Sequence, residues 1–199
     1  MKRSLVALSL VVLLMAPALV AAAAEKPAPA KMVPALVVMD VQNVWLPYMD
    51  EQDKKVGMEH INWAIDLFRD NGFPVIRVYH TDPENGPAPG TEAFEFPKTV
   101  AIRDDDPKIV KNYGSAFKKT ELDAMLREKG VNTVFLVGLS AVGCVLATYH
   151  GADDLDYKVF VVKHALISHD AALTKSVYDI CANFSPSALK LLLETARAK

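Results

Sequence analysis

Ala35-Leu36-Val37-Val38-Met39-Asp40 is an unbroken apolar run that ends on a carboxylate. Consecutive apolar residues without alternation suit a strand buried on both faces, the situation of a parallel sheet covered by helices. The chain that follows supports this. Across residues 54–71, Ile61, Ala64, Ile65 and Phe68 recur at spacings of three and four, which predicts an amphipathic helix closed by Gly72. Pro74-Val75-Ile76-Arg77-Val78-Tyr79 then reads as a second strand, reached by a connection long enough for a parallel crossover. The unit is βαβ.

The alternation continues outward. Lys108-Ile109-Val110 is a short strand, residues 120–129 a helix capped by Thr120 and stopped at Gly130, and Thr133-Val134-Phe135-Leu136-Val137 a central strand. Residues 144–155 are helical by pattern, 158–162 a strand, 169–181 a helix, 182–184 a small edge strand, and 187–198 a last helix with Ser185 or Ser187 as cap. The predicted fold is α/β, a mostly parallel sheet of five to six strands with helices on both faces. Residues 81–106 carry Pro83, Pro87, Pro89 and Pro97 and are expected to form a long active-site loop.

Ahead of this domain, Met1-Lys2-Arg3 precedes an apolar run from Leu5 to Met15 and small residues ending in Ala22-Ala23-Ala24. A positive start, a short apolar core and an Ala-x-Ala exit predict a signal peptide over residues 1–24 and an exported protein, periplasmic or secreted. The run is shorter than the roughly 20 residues that span a bilayer, so no stable membrane insertion is expected after cleavage. Residues 25–34, with three prolines among Ala and Lys, read as a linker, leaving 35–199 as one domain. A formal charge of −2 provides no basic face for nucleic acid, and two cysteines in a chain of this length need not form a disulfide.

A parallel sheet brings the carboxyl ends of its strands together, and ligands bind there. Three polar residues stand at predicted strand ends: Asp40, Lys111 and Cys144. At a helix N-terminus a cysteine is expected to be held as thiolate, with Lys111 adding positive charge and Asp40 exchanging protons with thiol and leaving amine. Singly, each has a plainer reading: a small core residue, a helix cap and a solvated lysine.

The local contexts carry more. Asp40-Val41-Gln42-Asn43, Lys111-Asn112-Tyr113-Gly114-Ser115-Ala116-Phe117 and Gly138-Leu139-Ser140-Ala141-Val142-Gly143-Cys144-Val145-Leu146-Ala147-Thr148, in that order, resemble the isochorismatase-like cysteine hydrolase superfamily over residues 33–195. That superfamily includes nicotinamidases and N-carbamoylsarcosine amidohydrolases. The resemblance implies a Rossmann-type three-layer sandwich with Asp40, Lys111 and Cys144 as catalytic triad. It also implies a non-proline cis peptide between Leu139 and Ser140, and an oxyanion hole from the N–H groups of Ser140 and Cys144. The implied activity is hydrolysis of a C–N bond in a small amide, urea or carbamoyl compound through a Cys144 thioester, without a cofactor. The alternatives are isochorismatase-type vinyl ether cleavage, against which Cys144 counts, and a catalytically silent exported binding protein. Homo-oligomers are expected by the same resemblance.

The sequence departs from the family pattern at Ala141, where Thr is frequent, and at His164, where Asp is usual. Nicotinamidases hold a metal through an Asp-x-His pair and another His, and the stretch after Asp40 has no such pair. His80 and Asp82 are the nearest candidates for an ion, and a plain hydrogen-bonding role is preferred, so no metal is assigned. Trp45, Tyr113 and His80 are expected to bind substrate, Phe117 to pack in the core, and His150 to be structural.

Overall fold

The computed structural model describes residues 31–197, so the expected signal peptide and most of the linker lie outside the described residues. Six strands form one all-parallel sheet: β1 (Pro34–Met39), β2 (Val75–His80), β3 (Lys108–Lys111), β4 (Thr133–Leu139), β5 (Lys158–Ile167) and β6 (Asn183–Phe184), in the spatial order β3-β2-β1-β4-β5-β6. The helices are α1 (Glu51–Asp70), α2 (Leu122–Glu128), α3 (Leu146–Asp153), α4 (Ala171–Ile180) and α5 (Pro186–Arg197). Among the described residues no helix is long and apolar enough to cross a membrane.

The unbroken apolar runs are explained by two cores. Along β1, Ala35, Val37 and Met39 join one buried cluster with Leu122, Leu126, Ala152 and Val177 of α2, α3 and α4. Leu36 and Val38 point the other way, onto Ile61, Ile65 and Phe68 of α1 and Leu189 and Leu193 of α5. With both faces covered, every residue of β1 and β4 is buried, and each large aliphatic side chain so placed contributes about 1.5–3 kcal/mol. The sheet is the middle of three layers.

Local signals set the element ends. Asp50 caps α1 by accepting the Asp53 N–H at 2.9 Å, and Gly72, at φ +76°, lets the chain turn so that the Phe73 N–H reaches the Phe68 carbonyl at 2.9 Å. Thr120 accepts the Leu122 N–H at 3.3 Å and Ser185 the Ala188 N–H at 3.3 Å, at the starts of α2 and α5.

Two expectations are corrected. β5 does not stop at residue 162 but runs to Ile167, because the chain bulges at His164 (φ +67°) and returns Ala165, Leu166 and Ile167 to the core. The helix carrying Cys144 does not begin there: residues 141–145 form a wide irregular turn with a non-helical Gly143 (φ −109°, ψ −106°), and regular helix starts at Leu146. Between β2 and β3 the proline-rich segment has no regular element, as expected, and contains a cis Gly86–Pro87 bond.

Candidate active site

The order of strands creates the site. From β1 the chain moves outward to β2 and β3, then returns to the opposite side of β1 as β4. The crevice beyond the carboxyl ends of β1 and β4 is therefore a topological switch point. In register, Met39 pairs with both Val78 and Gly138, and His80 with Lys111. Residues just past four strand ends thus converge.

Asp40 turns away from β1 in the left-handed region (φ +51°), which an aspartate tolerates better than most residues. Lys111 Nζ lies 2.8 Å from Asp40 Oδ2 and 2.9 Å from His80 Nδ1, and its side chain is fully buried. The Cys144 thiol stands beside the same carboxylate, so Asp40 is held between an ammonium and a thiol. A carboxylate oxygen of Asp40, a ring nitrogen of His80 and Cys144 Sγ lie within 4.8 Å of one another. Asp40, Lys111 and Cys144, distant in sequence, are brought into one site.

These groups bound a cavity of about 240 Å³. Asp40 and Cys144 stand at its base, with Trp45, Met49, His80, Leu139 and Ser140 around them. The Leu139–Ser140 peptide is cis. The carbonyl of Ser140 accepts the N–H groups of Gly143 (3.0 Å) and Val145 (3.2 Å), winding the turn that presents Cys144. The Ser140 N–H itself has no protein partner among the described residues. Both cysteines are free, and Cys181 is buried at the end of α4.

The electrostatics revise the expected thiolate. Burial, reinforced by the neighbouring Asp40 charge and opposed by Lys111, pushes the Cys144 thiol up to about 11. Burial also raises the Asp40 carboxyl above its ordinary value, against the pull of Lys111 and Cys144. The resting thiol is neutral and stands beside the Asp40–Lys111 pair. His80 is lowered to about 4 by burial and by Lys111, which keeps its imidazole neutral. An ammonium has only hydrogens to offer, so His80 Nδ1 is the acceptor and its hydrogen belongs on Nε2.

Not every expected residue lines the cavity. Tyr113 instead accepts a hydrogen bond from Lys119 at 3.0 Å and lies under Lys118. Phe117 packs against Tyr157, as expected, and His150 is exposed. Asp82 accepts the N–H groups of Glu84 and Asn85, a turn cap. His164 lies against His60, at 5.2 Å between rings.

Gln42 organises the wall of the cavity, a role that sequence reasoning missed. Fully buried, it donates to the carbonyls of His80 (3.0 Å) and Phe94 (2.8 Å) and accepts from the His80 N–H (2.8 Å) and Trp45 Nε1 (3.3 Å). It ties β2, the proline-rich loop and the Trp45 wall to the first strand. Its place two residues after Asp40 was the available signal; Met49 and Leu139 gave none.

Comparison with known proteins agrees with this fold. The family described as the Isochorismatase domain matches residues 34–184. YddQ, an isochorismatase family protein of Bacillus subtilis, is 30% identical over 139 residues, 67% of this chain and 77% of that one. The N-carbamoylsarcosine amidase of Thermoplasma acidophilum superposes with a TM-score of 0.67 at 26% identity, covering 77% of this chain and 95% of that one. The pyrazinamidase of Pyrococcus horikoshii, solved in complex with zinc, gives 0.65 at 25% identity over 74% and 93%.

A zinc ion does not fit the donors here. Asp40, His80 and Cys144 already surround the Lys111 ammonium, which a divalent cation would have to displace, and Asp82 is spent on its turn. Fold, site and family match agree: the chain belongs to the isochorismatase family of hydrolases.

Proposed function

We propose that this hydrolase cleaves the C–N bond of a small amide, urea or carbamoyl compound with Cys144 as nucleophile. The observation that carries the reading is the buried Asp40–Lys111 pair set against the Cys144 thiol in a small, largely apolar cavity. The amidases among its structural relatives support it.

Cys144 Sγ bonds to the substrate carbonyl carbon as Asp40 takes the thiol proton. This coupled transfer avoids a free thiolate, which burial disfavours. The oxyanion is held by the N–H groups of Ser140 and Cys144. Collapse breaks the C–N bond while Asp40 returns its proton to the leaving amine, giving a thioester. Water then attacks the thioester, losing a proton to Asp40, and the C–S bond breaks as that proton returns to sulfur. Lys111 opposes the effect of burial on Asp40 and so favours its carboxylate form between steps.

Cys144→Ser is expected to keep the fold and lose release of ammonia or amine from small amides by at least about a thousandfold. Mass spectrometry of the unmodified enzyme quenched during turnover should show an acyl adduct on Cys144. Undiminished turnover in the variant removes the nucleophile assignment. The same reading includes export through residues 1–24, for which N-terminal sequencing of the mature protein is the test, and homo-oligomers, for which light scattering is.

A further inference from the structure

The substrate class can be narrowed by charge, on the reading that this cavity is where the amide binds. A carboxylate that gives up water on entering a small, largely apolar pocket needs a cation or several donors in return. The cavity has no cation to spare among the described residues. Lys111 is fully buried and committed to Asp40 and His80. Of the other lysines near the site in sequence, Lys118 and Lys119 lie on Tyr113, and Lys108 sits over the rings of Tyr79 and Phe94. The Asp40–Lys111 pair is neutral as a unit and offers an anionic substrate no net attraction.

The walls point the same way. Trp45 uses its N–H on Gln42 and offers the cavity apolar surface, beside Met49 and Leu139. His80 is held neutral, so it contributes a hydrogen-bond donor and not a counter-ion. At about 240 Å³ the space falls below the roughly 300–1,000 Å³ of pockets for drug-sized ligands.

We propose that the site selects small, uncharged amides whose apolar body lies against Trp45, Met49 and Leu139, and that it excludes amides bearing a carboxylate. Specificity then rests on desolvation of the substrate and not on an ionic anchor.

Isosteric pairs test this, because an isopropyl group and a carboxylate have nearly the same shape: 3-methylbutanamide against malonamate, and 4-methylpentanamide against succinamate. Two readouts are taken, kcat/KM for the unmodified enzyme and calorimetric binding to Cys144→Ala. The neutral member of each pair is expected to lead by at least about a hundredfold in both. Met49→Lys, which places a cation in the wall, is expected to shift that ratio at least about tenfold toward the carboxylate. A ratio near unity or inverted in the unmodified enzyme overturns the proposal, as does failure of Cys144→Ala to bind any of the four. Neutral preference in binding without hydrolysis of either member upholds the charge selectivity and counts against the amidohydrolase reading.

Discussion

Replacing Lys111 with methionine removes the ammonium from Asp40 while keeping most of the aliphatic stem that fills the core. Asp40 is 2% exposed and would be left as an uncompensated buried carboxylate. It has one escape, which is to bind a proton. At pH 7, protonating in the folded state a group whose ordinary value is 3.8 costs about three pH units at about 1.36 kcal/mol each, so the penalty is capped at about 4 kcal/mol. That agrees with the roughly 3–5 kcal/mol lost when one partner of a buried ion pair is deleted. The sign with pH follows. The folded-state carboxyl of the variant titrates well above its unfolded value, so the destabilisation is absent below about pH 4, grows as pH rises, and levels off only once pH passes the raised folded value. Part of this cost is already present in the unmodified protein, where burial raises Asp40, so urea denaturation should show a loss of up to about 4 kcal/mol at pH 7 and up to about 1 kcal/mol at pH 4.5. Asp40→Asn/Lys111→Met should recover most of the stability with no such pH dependence, and no activity. An equal loss at both pH values would mean that Lys111 matters by packing alone, and would refute the charge argument.

Alkylation of Cys144 by iodoacetamide should accelerate with pH toward about 11 and exceed that of buried Cys181; a plateau below pH 7 would show a stabilised thiolate instead. Gly138→Ala places a methyl against the backbone of Met39 at φ +111°, and urea denaturation should register a loss of about 3 kcal/mol or more, an unchanged midpoint contradicting the close β1–β4 approach. Asp50→Ala should cost about 1 kcal/mol by the same measurement through loss of the α1 cap, with no effect on pH dependence between 6 and 8; an unaltered midpoint would mean that the cap is not needed.

The distribution of apolar residues was enough to establish the architecture. Val37 and Val38 adjacent in one strand require cover on both faces, and with amphipathic stretches between strands only a parallel sheet in three layers satisfies that. Asp40, Lys111 and Cys144 stood at predicted strand ends, but it was the resemblance of their local contexts to the isochorismatase-like superfamily that singled them out. Periodicity failed at β5, where the bulge at His164 interrupts the pattern although the chain returns to the core. Tyr113 lies outside the cavity lining because adjacency in sequence says nothing of direction, and its ring turns to Lys118 and Lys119.

What sequence alone determined was which residues the strands deliver to one edge, because that depends on local pattern and connection order. Only the tertiary structure decided their chemical state. Burial raises a thiol that helix position alone would lower, Lys111 is shared between Asp40 and His80, and a buried Gln42 binds the wall to the sheet. Desolvation and charge pairing depend on distances between segments far apart in the chain, and those distances exist only once it has folded.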